Sequence, residues 1–108
     1  MKGNNTVQLI GYVGNDLKVF QRPTKRKVVI RVATHDKVKT STGEEKEITA
    51  WHDIAAWDAI GEMAERSFVK GSHILVQGRL VHRTYVDQAG HIRYVTEIAA
   101  DHLENLDR

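Results

Sequence analysis

The sequence predicts an all-β fold, a five-stranded Greek-key barrel with one α-helix between its third and fourth strands. Three observations predict it. Short segments rich in β-branched residues recur along the 108 residues, one stretch of helical periodicity interrupts them, and turn-forming residues punctuate the whole. The order of these elements, three strands, a helix and two strands, is that of an OB-fold.

Each element has its own justification. Thr6 to Val13 mixes Val7, Leu9, Ile10 and Val13 with polar residues and reads as a first strand, with Gly11 and Gly14 permitting a bend. Leu17 to Phe20 extends it, and Pro23 marks a turn. Val28 to Thr34 and Ile48 to Trp57 are the second and third strands, joined through the basic segment Lys37 to Lys46, where Ser41-Thr42-Gly43 signals a hairpin tip. Asp58 is placed to cap a helix from Ala59 to about Lys70, with Ile60, Met63, Ala64 and Phe68 on one face and Gly71 as its stop. Ile74 to Tyr85 and Ile92 to Ala99 form a second hairpin through Asp87-Gln88-Ala89-Gly90. There is no linker and no internal repeat, so residues 1–108 are expected to form a single domain.

Composition narrows the function. With no cysteine, disulfides, zinc ribbons and thiol nucleophiles are excluded. The start of the chain, Met1 to Thr6, lacks the apolar stretch of a secretory signal, so a cytoplasmic protein is expected. Net charge is +2 but unevenly placed: residues 1–46 carry ten Lys/Arg against four Asp/Glu, the remainder six against ten. A basic first half suits an anionic partner. The cluster Arg22, Lys25, Arg26 and Lys27, broken by Pro23, reads as a loop.

One strand face carries the candidate chemistry. Period-two alternation puts Ile48, Ala50, His52, Ile54 and Ala56 on a core side and Trp51, Asp53, Ala55 and Trp57 on the other. Both tryptophans of the chain thus fall on the solvent side of one strand, where base stacking would give them a purpose. The following strand ends with Arg79, Val81, Arg83 and Tyr85 on one parity, guanidinium groups for phosphates beside an aromatic ring. Arg93 can sit near Arg83 across the turn, and Lys37, Lys39 and Lys46 flank the Gly43 hairpin. A plain alternative is a solvated face, or tryptophans packed at a subunit contact.

An enzyme is not expected. The six histidines are scattered without metal-ligand spacing, and His52 and Asp53 point to opposite faces of their strand. Ser67 and Ser72 lack a nucleophile-elbow context, and no glycine pattern cradles a phosphate. No metal and no cofactor are expected.

Further motifs resemble a known family. Gly11-Tyr12-Val13-Gly14 followed by Asn15-Asp16, then Thr34, Thr49-Ala50-Trp51-His52 and Lys70-Gly71-Ser72 are similar to the bacterial single-stranded DNA-binding proteins. So are Gln77-Gly78-Arg79-Leu80, Asp87-Gln88-Ala89-Gly90 and Arg93-Tyr94-Val95-Thr96-Glu97, in the same order from about Asn5 to Ala99. The resemblance implies sequence-independent binding and protection of single-stranded DNA in replication, recombination and repair, by an OB-fold homo-oligomer, usually a tetramer. It implies stacking at Trp51, Trp57 (a phenylalanine in most relatives) and Tyr85 (a tryptophan in most), and an interface role for His52. It departs at Val38, where an aromatic is expected. It departs again at Asp101 to Arg108, where a flexible linker and acidic tip would follow, so tail-mediated protein partners are not expected. The alternative is a specialised dimeric relative, of primosome or mobile-element type, acting mainly through protein partners.

Overall fold

The computed structural model describes residues 3–15 and 17–107; Asp16 of the Asn15-Asp16 pair lies outside them, as do Met1, Lys2 and Arg108. Six strands and one helix follow the chain: β1 (Val7–Val13), β2 (Lys18–Gln21), β3 (Arg26–Lys39), β4 (Glu45–Trp57), α1 (Asp58–Ser67), β5 (His73–Val86) and β6 (Ile92–Asn105). No described helix is long and apolar enough to cross a membrane.

Five of the strands close on themselves. β1 pairs antiparallel with β5, β5 with β6, and β4 with β3; β6 joins β4 in parallel, and Tyr12 and Val13 return to Ala33 and Val32 of β3. This is the expected barrel. The segment expected to extend the first strand is a separate element, β2, paired with β3 from Val29, three residues beyond Val32 where the β1 pairing ends. The helix therefore follows the fourth strand in chain order rather than lying between the third and fourth.

Alternation builds the core. Val28, Ile30 and Val32 of β3, Ile54 and Ala56 of β4, and Ile74 and Val76 of β5 are fully buried, and the residues between them turn to the other face, where Ala33 and Ala55 are buried as well. A register shift at Gln77/Gly78 bends β5 around the barrel. Gly78 is required there, because a Cβ would run into the Ala99 carbonyl and the Ala100 backbone. The terminal residues pack into this wall: Leu103 is buried, the Leu106 N–H donates to the His73 carbonyl at 2.8 Å, and the Asp107 carboxylate accepts the His73 N–H at 3.0 Å.

Local chemistry overrides the sequence at four places. Asp58 does not cap the helix through its side chain; it takes a left-handed φ of +51°, which Asp tolerates, and its carboxylate accepts the Arg26 N–H at 3.0 Å. The helix ends at Ser67, not Lys70, because Phe68 turns extended to enter the core, 3% exposed, and Gly71 serves the turn beyond it. Only the Arg22–Lys25 part of the basic cluster is a turn, since β3 begins at Arg26. Finally, Ile48 shares the parity of Ile54 but is 47% exposed, because β3 and β4 run past the barrel as a two-stranded arm with no layer above it.

Candidate functional site

Outward-facing residues of β2 to β6 enclose an open groove of about 870 Å³. Its floor follows from strand register. Lys18, Val29, Ala55, Ala99 and Arg79 pair in succession across five strands, so one row runs from cation to cation over small apolar side chains. Small residues at the centre leave the space; lysine and arginine bound it.

Two aromatic platforms expected from the sequence stand in this groove. Trp57, 39% exposed, lies at the end of β4 in register with Lys27 of β3, whose ammonium is 5.4 Å from the indole centroid. Lys25 approaches the same ring at 5.7 Å. Tyr85, 47% exposed, rises from β5 with the Arg83 guanidinium 5.9 Å from its ring. Arg79 and Arg83 line the same space. Trp51, also solvent-facing, stands outside the groove. Its ring lies against Gly14, where a Cβ would come within 2.5 Å of it, and Arg31 links it to the groove by covering the ring at 5.0 Å.

Several of the cations are already partnered. Glu97, only 7% exposed, accepts from the Lys27 ammonium at 3.1 and 3.2 Å and from Arg83 Nε at 3.4 Å. Arg31 pairs with Asp53 at 3.5 Å and Arg79 with Asp101 at 3.7 Å, both exposed and so weakly held. Arg93 shares the face of Arg83 as its diagonal neighbour, directly opposite Tyr85, and its Nε donates to Asp87 at 2.8 Å. That bond foremost, with the His91 and Ala89 N–H groups, holds the Asp87 carboxyl below its ordinary range against a smaller opposing effect of burial.

The arm separates residues that the sequence placed together. Lys37 lies opposite Glu47 and Lys39 opposite Glu45 on the face shared with Trp51, whereas Lys46 pairs with Val38 on the other face. All three lysines are exposed. His52 is half-buried on that second face, its Nε2 2.9 Å from the Thr34 hydroxyl.

Sequence reasoning missed Phe20, Lys27, Arg31 and Glu97, all of which line the groove. Arg31 was legible as the one charge inside a β-branched strand, and Glu97 from its alternation with Arg93 and Val95. Lys27 was hidden by the loop reading, and Phe20 because β2 is exposed on every residue and has no buried parity to orient it.

Comparison with known proteins agrees with this architecture. The sequence model of the single-strand binding protein family matches residues 4–106. The single-stranded DNA-binding protein 1 of Chlorobaculum tepidum is 34% identical over 107 residues, 97% of this chain; the chain spans 66% of the length of that relative. Among solved structures, the Plasmodium falciparum SSB in complex with ssDNA superposes with a TM-score of 0.88 at 27% identity, over 99% of this chain and 98% of that one. A deletion mutant of the single-stranded DNA-binding protein from Thermus aquaticus shares the fold, with a TM-score of 0.85 at 24% identity over 97% of this chain and 51% of that one.

Proposed function

The chain belongs to the single-strand binding protein family, and on that premise we propose that it binds single-stranded DNA without reading its sequence. The observation that carries the proposal is the gathering of Trp57, Tyr85, Arg79 and Arg83 around one open groove with a small-residue floor. Exposed rings accept any base by its π-face, each stacked base contributing about 1–3 kcal/mol. In a duplex those faces are already stacked on one another, so the platforms select single strands. Arg79 and Arg83 take the phosphates, and Trp51 with Arg31 continues the path past Gly14. Arg93 is a weaker contact, because Asp87 already holds it. Lys37 and Lys39 extend the cationic path onto the arm on the same face, each opposed by a glutamate across the ladder. Lys46 lies off that path.

The role is that of a binding protein, with no acid–base pair set for catalysis among the described residues of the groove, coating single strands during replication, recombination and repair in the cytoplasm. The chain works as one domain within a homo-oligomer, a tetramer or a dimer. Its exposed second arm face, with Val38, Ile48 and His52, is the surface that assembly would cover. The test is a titration of intrinsic tryptophan emission. Long oligo(dT) should quench it strongly while duplex of equal length leaves it unchanged. Log affinity should fall linearly with log salt, at about −0.7 per phosphate contact. Equal responses to both ligands, or a flat salt response, would refute the proposal.

A further inference from the structure

Phe20 is a phenyl ring in the wrong place for a core and the right place for a ligand. It is 45% exposed, on a strand with no buried residue, and it lines the same groove as Trp57 and Tyr85. Register fixes its neighbours. Phe20 pairs with Lys27 and Lys27 with Trp57, so an aromatic, a cation and an aromatic stand in one row on one face. Adjacent strands lie about 4.8 Å apart, which sets the Phe20 and Trp57 backbones roughly 10 Å apart across the intervening strand. Lys18 shares the face of Phe20 two residues away, and Arg22 lines the groove at the other side.

We propose that Phe20 is a base-stacking platform of the groove, taking a nucleobase beside the one held on Trp57, with Lys18 and Arg22 receiving the flanking phosphates. This inference rests on the single-stranded DNA reading and deepens it. Lys27 cannot serve as the phosphate contact in this row while Glu97 holds its ammonium at 3.1 Å, so the cations flanking β2, Lys18 and Arg22, take that part. The platform also has a place in the economy of the site. Val38, where the resemblance implies an aromatic, lies across from Lys46 on the arm face turned away from Trp51, so it adds no ring to the groove. Phe20 adds one from the opposite bank, on an element the sequence left unoriented.

The experiment compares Phe20→Ala, Phe20→Leu and Phe20→Tyr in oligo(dT) titrations beside the parent chain. Loss of one stacked base predicts roughly 5- to 150-fold weaker binding for Phe20→Ala. The salt slope should not change, because no charge is removed. Phe20→Tyr should restore affinity and Phe20→Leu should not, since leucine fills space without a π-face. A Phe20→Trp variant in a Trp51→Phe, Trp57→Phe background supplies a direct signal: its emission should be quenched by oligo(dT) and not by duplex. Parent-like binding by Phe20→Ala, full rescue by leucine, or an unquenched Trp at position 20 would overturn the platform while leaving the groove reading intact. Failure of the parent chain to bind oligo(dT) would overturn both.

Discussion

Replacing Glu97 by Gln keeps the shape of the groove floor and removes its one buried charge. In the native protein the Glu97 and Lys27 side chains are 7% and 12% exposed and share two contacts at 3.1 and 3.2 Å, whereas Arg83 is 44% exposed and reaches Glu97 at 3.4 Å. Lys27 therefore carries most of the coupling. A charge-assisted bond of this burial contributes about 1.5–3 kcal/mol, the exposed Arg83 pair about 0–1, and the Gln oxygen still accepts one bond. Glu97→Gln should cost about 1–3 kcal/mol. At about 4–8 °C per kcal/mol for a domain near this size, the melting midpoint falls by roughly 4–24 °C at fixed protomer concentration. Lys27→Met keeps the aliphatic stem and strands the carboxylate instead. The double variant removes both charges, and an uncharged pair is tolerated where a lone buried charge is not. Denaturant melts of all four proteins should thus show a coupling energy of about 1–2 kcal/mol. Additivity to within about 0.5 kcal/mol would refute the argument that Glu97 and Lys27 act as a unit. In binding, freeing Lys27 adds one contact to that of Arg83 and should steepen the oligo(dT) salt slope by about 0.7.

Four other outcomes are expected. Gly14→Ala should displace the Trp51 ring, which a Cβ would approach to 2.5 Å, and weaken oligo(dT) binding by about 1 kcal/mol with little loss of stability, because the ring is solvent-facing and can yield. Gly78→Ala, checked in the same melts, should instead destabilise the barrel by about 1–3 kcal/mol or more, since the obstacle there is backbone. Asp87 is held below its ordinary value of 3.8, so its bonds to Arg93 and the turn amides persist above that value and are lost only as pH falls through the lowered one. Amide exchange at Ala89 and His91 should stay protected at pH 5 and down to 3.8, and open only below it; loss of protection already at pH 5 contradicts this. His52→Glu puts a carboxylate on the half-buried second arm face and should shift sedimentation toward smaller assemblies, with an unchanged profile counting against that face as an interface.

Alternation along the strand from Ile48 to Trp57 and the end of the next was enough to sort their side chains onto two faces. The inward Ile54 and Ala56 and the outward Trp51, Trp57, Arg79, Arg83 and Tyr85 follow from parity alone, because successive residues on a strand cannot share a face. The barrel was legible from element order for the same reason: a fixed set of apolar faces has few ways to be buried together. Partners across strands were not legible. Register decided that Arg93 stands opposite Tyr85 and is claimed by Asp87, that Lys46 faces away from Lys37, and that Phe20, Lys27 and Trp57 form a row. Such pairings join residues far apart in the chain and depend on where bulges such as that at Gly78 fall. Exposure of the arm, which left Ile48 at the surface, and the turn of Asp58 toward Arg26 were likewise settled by what lies beside them in space. The sequence by itself determined which residues face outward; the tertiary structure decided which of them meet, because a period of two encodes the face of a strand and carries nothing about its neighbours.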